Sequence, residues 1–112
     1  MEIVINASPL ILLDKINRLY LLDMLFDVVY VPTAVLREVE AGTESNIISK
    51  LSQISYKQLA ISNRVAVSSL LGRLHVGEVE VIIGAIENGI KTVVLDDNTA
   101  RNKAKQLGLN VT

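Results

Sequence analysis

Short apolar segments rich in β-branched residues recur along the chain, and longer amphipathic stretches separate them. The segments at residues 3–5, 28–31, 91–95 and 109–111 are too short for buried helices, so we predict a strand at each. The intervening stretches carry apolar residues at helical spacing. Strands that alternate with helices favour parallel pairing through right-handed crossovers. The predicted fold is therefore α/β, a three-layer α/β/α sandwich around a central parallel sheet.

Local start and stop signals predict the helices. Ser8 is expected to cap the first helix, with Pro9 as its first residue, and the region of residues 17–18 is expected to divide that stretch in two, the second helix covering 19–26. Further helices are predicted from residue 33 to Gly42 and over residues 78–87. A last helix is expected to follow Asn98 as its N-cap.

Residues 43–76 have a less regular pattern. Helical spacing there predicts one helix from Ile47, Ile48, Leu51 and Ile54. Residues 65–67 are compatible with a short strand or an extended link. A further short helix is predicted from Leu70, Leu71 and Leu74.

The bulk properties limit the classes of protein. With 112 residues, we expect one domain spanning 1–112. The net charge of −1 means that nucleic-acid contact would need a local patch of the 11 Lys and Arg residues. The chain has no Cys, which excludes disulfides and thiolate metal sites. We see no secretory signal and no apolar run long enough for a membrane span, so a cytoplasmic location is expected.

Polar side chains cluster where predicted strands end and helices begin. Asn6 follows the first strand, and Asp96 and Asp97 follow the third, at the strand ends where α/β sheets collect functional groups. The other candidates lie on helices: Glu38, and Glu78 and Glu80 just after Gly77. Converging carboxylates repel one another, and a divalent cation bound to their oxygens removes that cost. Mg²⁺ or Mn²⁺ fits such ligands and can activate water against a phosphodiester.

Four segments, in order, resemble the successive motifs of PIN domains, in the branch near VapC-type toxin ribonucleases. They are Ile-Val-Ile-Asn-Ala-Ser-Pro-Leu-Ile at 3–11, Tyr-Val-Pro-Thr-Ala-Val-Leu-Arg-Glu-Val at 30–39, Leu-His-Val-Gly-Glu-Val-Glu at 74–80 and Val-Leu-Asp-Asp at 94–97. The resemblance covers nearly the whole chain. It implies an endoribonuclease that hydrolyses RNA with Mg²⁺ or Mn²⁺. It also implies a toxin of a toxin–antitoxin pair, with an antitoxin protein as partner, and a homodimer.

The same resemblance assigns the acids. Glu38 corresponds to the family's second acid, one or both of Glu78 and Glu80 to the third, and Asp96 or Asp97 to the fourth. The first acid is replaced by Asn6, whose amide oxygen can bind a cation but brings no charge. We expect this to weaken metal binding and to remove a water-activating group. Relatives often carry another helix after the last strand, so we expect this domain to lack that C-terminal helix.

Other functions stay open at this point. Asn6 and the short C-terminus favour a non-catalytic PIN-like module that binds RNA or a protein. A phosphoacceptor receiver is disfavoured, because Asn6 stands where such domains need an acidic pair, and no Gly-x-Gly-x-x-Gly motif follows any strand for a dinucleotide. His75 is expected at the surface. The candidate phosphate contacts, each equally compatible with a solvated surface, are Arg73, Arg101, Lys103 and Lys105.

Overall fold

The computed structural model describes residues 1–42 and 47–112, which contain one five-stranded sheet with every strand parallel to its neighbours. The strand order is β3-β2-β1-β4-β5. The strands are β1 (Glu2–Ile5), β2 (Val28–Pro32), β3 (Tyr56–Leu59), β4 (Thr92–Val94) and β5 (Asn110–Val111). The predicted α/β class with a parallel sheet is confirmed.

Helices flank this sheet. Those in the described part of the chain are α1 (Ala7–Lys15), α2 (Tyr20–Leu25), α3 (Thr33–Gly42), α4 (Ile47–Leu51), α5 (Arg64–Leu70), α6 (Val76–Glu87) and α7 (Asn98–Gln106). Helix α6 packs across β1, β2 and β4, and α3, α5 and α7 pack against α6. None of these helices is both long and apolar enough to span a bilayer.

Strand β1 lies at the centre of the sheet, between β2 and β4. Its residues Ile3, Val4 and Ile5 are fully buried, as a continuous apolar run in a sheet covered on both faces requires. Burying each such side chain contributes about 1.5–3 kcal/mol. The predicted division of the first helical stretch is confirmed, because Asn17 adopts a left-handed turn (φ 56°) between α1 and α2.

The strand order reverses direction between β1 and β4. The chain runs outward from β1 through β2 to β3, and then returns to the other side of β1 for β4 and β5. Ligands of open α/β sheets bind at this kind of switch point, beyond the carboxyl ends of the strands. Ile5 pairs with Val94, and the next backbone N–H, of Asn6, donates to the Val94 carbonyl at 3.1 Å. The ends of β1 and β4 therefore lie side by side.

Two predicted helix caps are wrong. Helix α1 begins at Ala7, and Asn6 is its N-cap residue because its backbone is still extended (φ −86°, ψ 171°). Ser8 and Pro9 are therefore the second and third helical residues rather than the cap and the first. In α7, Asn98 is the first helical residue, and the cap is Asp97, whose carboxylate accepts from the Ala100 N–H at 3.0 Å.

The prediction for residues 43–76 needs the most correction. Ile54 is buried but follows the end of α4, and the Ile48 side chain lies outside the described residues. Residues 65–67 belong to α5 and are not a strand. Leu70 ends α5, while Leu71 and Leu74 form a bridge around a tight turn in which Gly72 has a φ of 104°. The missed strand is β3, an edge strand with exposed Lys57 and Gln58.

Candidate active site

Asn6 and Glu38 approach each other at the start of α6. A Cβ atom built on Gly77 would lie 3.2 Å from Glu38 Oε1 and 3.4 Å from Asn6 Oδ1. Only a glycine at this position leaves the space between the two oxygens open. We call the gap at Gly77, beyond the end of β1, the crevice; the Asn6 amide oxygen and the Glu38 carboxylate oxygen both border it.

The Asn6 oxygen is buried without a partner. Asn6 is 5% exposed, and among the described residues its Oδ1 is the buried side-chain acceptor that receives no hydrogen bond. A buried acceptor without a donor costs about 1–3 kcal/mol. Such a cost is removed when a cation or a donor group binds, so this oxygen is available as a ligand or acceptor.

Local structure explains why Glu38 reaches this point. Helix α3 begins at Thr33, directly after β2, and β2 is the neighbour of β1 on the side away from β4. Val35 and Val39 are fully buried and fix one face of α3. Glu38 itself is solvent-exposed, and its carboxylate extends over the crevice edge toward Gly77.

Asp96 and Asp97 lie at the neighbouring strand end. The register that pairs Ile5 with Val94 puts Leu95 beside Asn6 and Asp96 one residue further along the same edge. Both aspartates are exposed. One carboxylate oxygen of Asp97 caps α7, as described above, so Asp97 has both a structural and a potential ligand role.

Glu80 is engaged in the fold through both carboxylate oxygens. Oε1 accepts from the Ala34 backbone N–H at 2.9 Å, in the first turn of α3, and Oε2 accepts from Arg64 Nη1 at 2.9 Å. Glu80 is 5% exposed, so these contacts hold a buried charge. They tie α6 to the starts of α3 and α5, and they direct this carboxylate to partners other than Asn6 and Glu38.

Glu78 folds back on the start of its own helix. Its Oε1 accepts from the His75 backbone N–H at 3.0 Å, which satisfies a donor ahead of α6. Glu78 is 7% exposed, whereas His75 is exposed as expected. The described residues include no set of three His, Cys, Asp or Glu side chains already converged for a metal. Asn6 and Glu38 are brought together to the extent that an oxygen of each lies within 3.4 Å of one point, the Cβ position at Gly77.

This donor set fits a hard divalent cation. Amide and carboxylate oxygens are the ligands that Mg²⁺ and Mn²⁺ prefer, and Mg²⁺ sites often use only one or two carboxylates with water completing the shell. The orphaned Asn6 oxygen and the space kept open by Gly77 are the two observations that support this fit.

The four candidate phosphate contacts differ in their surroundings. Arg101 Nη1 donates to the carbonyls of Leu95 at 2.8 Å and Thr112 at 3.3 Å, so it supports the end of β4 and the chain terminus. Arg73 and Lys103 line a common cavity, and Lys105 is exposed on α7.

The fold is of the open, doubly wound α/β class, and an amide, a glutamate and two aspartates lie near the carboxyl ends of its central strands. Comparison with protein families matches residues 2–112 to the PIN domain. The chain therefore belongs to the PIN-domain family, whose members are generally nucleases and typically use divalent metals. No curated protein is similar enough to match the chain.

Two residues that shape the site are not among the sequence-predicted ones. Gly77 lies inside the first turn of α6 rather than before the helix, and a glycine in a first helical turn is a signal of close approach. No local pattern indicates Arg64, because its partner Glu80 is on a different helix.

Proposed function

We propose that this chain is a metal-dependent endoribonuclease that hydrolyses RNA phosphodiester bonds. The observation that carries the proposal is the buried, unpartnered Asn6 Oδ1 beside Glu38 Oε1 at the switch point of the sheet. Family membership supports it, since PIN domains are generally nucleases.

Asn6 and Glu38, with Asp96 or Asp97 from the neighbouring strand end, would hold Mg²⁺ or Mn²⁺. The chemistry supplied there is neutralisation of phosphodiester charge and activation of water. The Glu80 carboxylate orients α3, which carries Glu38, and we assign it that supporting role. Glu78 is kept as an alternative third acid at the helix start.

One feature of the chain itself favours a bound phosphate. The 12-residue α6 begins beside Asn6 and Glu38, and the dipole of a helix N-terminus attracts anions. Glu38, exposed and next to the crevice, can accept a proton from an attacking water through its carboxylate oxygen.

The test compares variants of one helix in an RNA-cleavage assay with Mn²⁺, Mg²⁺ or chelator. Glu38→Gln removes the crevice charge, while the matched control Glu40→Gln changes an exposed residue of the same helix. Losing a metal ligand should cost more than the roughly 10–100-fold typical of outer-shell changes, so cleavage by Glu38→Gln should fall by more than about 100-fold. Glu40→Gln should cleave like the wild type.

Asp97→Asn is a second informative variant. Asparagine caps helices as well as aspartate does, so the Ala100 contact is preserved while the charge is lost. Chelator-resistant cleavage, or equal activity in Glu38→Gln and Glu40→Gln, would refute the mechanism. RNA binding without cleavage under any metal, with activity appearing in Asn6→Asp, would instead identify the non-catalytic module.

We further propose that the nuclease acts as the toxin of a toxin–antitoxin pair, on the strength of the four ordered motifs. A reading frame for a small protein beside this one, whose product blocks cleavage when co-expressed, is the expected finding. Growth that is unaffected by expression of the active chain would contradict this role.

We also propose a homodimer formed through α1 and α2. Five large apolar side chains on or next to these two consecutive helices are 51–73% exposed: Leu12, Ile16, Tyr20, Met24 and Leu25. Exposed apolar surface of this kind is typical of an interface. Met24→Glu combined with Leu25→Glu should give a monomer in analytical ultracentrifugation, and a monomeric wild type would refute the proposal.

A further inference from the structure

A cavity of about 470 Å³ lies between α7 and the segment that leads into α6. One wall comes from the end of α5 and the tight turn at Gly72, and the other is a single face of α7, where Thr99, Asn102, Lys103 and Gln106 repeat at helical spacing. Its volume is in the range of small-ligand sites, roughly 300–1,000 Å³. We call it the α7 groove.

Both walls of the α7 groove are close in sequence to candidate active-site residues. Leu74 is three residues before Gly77, and Thr99 is two residues after Asp97. An RNA strand held at the candidate site would therefore be within a few residues' length of the groove. This continuity connects the groove to the polymer that the site would cut.

The groove has a positive rim. Arg73 and Lys103 stand on opposite walls, and no carboxylate of the described residues contributes to its lining or forms a salt bridge with either of them. Arg73 directly follows the turn at Gly72 and is exposed. Two cations facing one cavity favour a ligand with negative charge.

The interior combines apolar and amide groups. Leu74 is 6% exposed and Leu70 is half-buried, so they form an apolar floor. Asn102 and Gln106, one helical turn apart, present amide donors and acceptors above it. A flat heterocycle that is apolar on its faces and polar at its edges matches this arrangement, and its attached phosphate matches the rim.

We propose that the α7 groove binds one unpaired nucleotide of the RNA beside the cleaved bond, with the base over Leu70 and Leu74 and the phosphate between Arg73 and Lys103. This inference rests on the proposed function for the identity of the polymer. A paired base is not available to such a cavity, so the groove selects single-stranded RNA. Asn102 and Gln106 determine which base is preferred, because the lining has no aromatic ring for sequence-independent stacking.

The experiment measures binding of labelled single-stranded RNA by fluorescence anisotropy in chelator, across a salt series. The test variant is Arg73→Gln combined with Lys103→Gln. The matched control is Lys57→Gln combined with Lys91→Gln, which removes the same charge from exposed positions outside the groove and outside the candidate phosphate contacts.

The groove variant should bind roughly tenfold more weakly, and its slope of log affinity against log salt should be smaller by about 0.7, the value for one phosphate contact on single-stranded nucleic acid. The control should change affinity by less than about twofold. Equal losses in the two double variants would overturn the proposal, since bulk charge would then explain the binding.

Base selection is tested on the four homopolymeric RNAs. The wild type should distinguish among them, and Asn102→Ala with Gln106→Ala should reduce those differences while the salt slope is unchanged. A wild type without base preference, or an unchanged preference in the variant, would overturn the assignment of these amides.

The experiments distinguish a failure of the groove proposal from a failure of the nuclease proposal. Binding in chelator needs no metal, so groove-dependent binding without cleavage would refute only the nuclease. Metal-dependent cleavage with an unchanged KM in the groove variant would refute only the groove. If a polyglutamate peptide binds through Arg73 and Lys103 and RNA does not, the groove serves a protein partner and the proposal is overturned.

Discussion

Gly77→Ala should weaken metal binding while leaving the stability of the metal-free protein almost unchanged. The added Cβ would lie 3.2 Å from Glu38 Oε1, 3.4 Å from Asn6 Oδ1 and 3.7 Å from Val35 Cγ2. The last contact is ordinary, and the first two require the polar groups to move by a few tenths of an ångström. Because the Glu38 carboxylate is exposed, it can move at low cost, and the methyl group then occupies the space between the two oxygens.

The stability of the metal-free protein should be close to that of the wild type or higher. Replacing glycine by alanine within a helix contributes about 0.5–1 kcal/mol, and the small displacement of Asn6 and Glu38 opposes it. For a domain of this size, 1 kcal/mol corresponds to roughly 4 °C in Tm. We therefore expect the Tm in chelator to differ from the wild-type value by no more than about 4 °C.

Metal binding, unlike the stability in chelator, should be clearly reduced in Gly77→Ala. At a Mn²⁺ concentration of about 100 times the wild-type Kd, binding stabilises the wild type by about 2.7 kcal/mol. A tenfold weaker Kd in Gly77→Ala would reduce this to about 1.4 kcal/mol, and complete loss would reduce it to zero. Thermal denaturation with and without Mn²⁺, followed by circular dichroism, measures both quantities in the same samples.

The control is Gly42→Ala, at the end of α3, where the built Cβ meets no described atom within 4 Å. Its Mn²⁺-induced Tm shift should match that of the wild type. An equal Mn²⁺-induced shift in Gly77→Ala would refute the reasoning, because it would mean that a cation does not use the space between Asn6 and Glu38.

Three further predictions concern the Glu80–Arg64 ion pair, Glu87 and Asn6. Glu80→Gln should lower the free energy of unfolding in urea by about 1–3 kcal/mol, because a buried oxygen loses its ionic contact with Arg64. Arg64→Gln should cost about 1 kcal/mol or less, since the Arg64 side chain is 57% exposed. The backbone N–H groups of Ser62 and Asn63 lower the pKa of Glu87, so wild-type stability should fall between about pH 5 and pH 3 more steeply than that of Glu87→Gln. Asn6→Asp should destabilise the metal-free protein at neutral pH, because its buried charge faces Glu38, and should enlarge the Mn²⁺-induced Tm shift.

Each of these has a contrary outcome. Wild-type stability in Glu80→Gln would mean that its contacts do not support α3 and α5. The sign for Glu87 follows from its lowered pKa: its contribution is complete above the ordinary carboxyl pKa and is lost as pH falls through the lower folded value. Parallel acid-unfolding curves for wild type and Glu87→Gln would contradict it. A smaller Mn²⁺-induced shift in Asn6→Asp would show that the amide position is not a ligand.

Most of the fold could be predicted because its elements follow local patterns. The apolar run of β1, the spacing of α6 and the glycines at helix ends are all visible within about ten residues of sequence. Strand β3 could not be predicted, because an edge strand with Lys57 and Gln58 exposed lacks the continuous apolar signal of a central strand. The helix at residues 64–70 contains Val65 and Val67, which favour strands locally, and packing against α6 outweighs that preference.

The sequence by itself determined which polar residues follow strands or open helices, because strand ends are set by where apolar runs stop. Only the tertiary structure decided which of them meet. The order β3-β2-β1-β4-β5 puts the end of β1 beside the end of β4, so that Asp96 is one residue beyond the partner of Asn6 although 90 residues separate the two along the chain. It also directs Glu80 to Ala34 and Arg64, and leaves the Asn6 oxygen buried beside Glu38 without a donor. The physical reason is that the partners of a buried charge or acceptor are the groups packed around it. Those groups belong to distant segments of the chain, which the packing of the common core brings together.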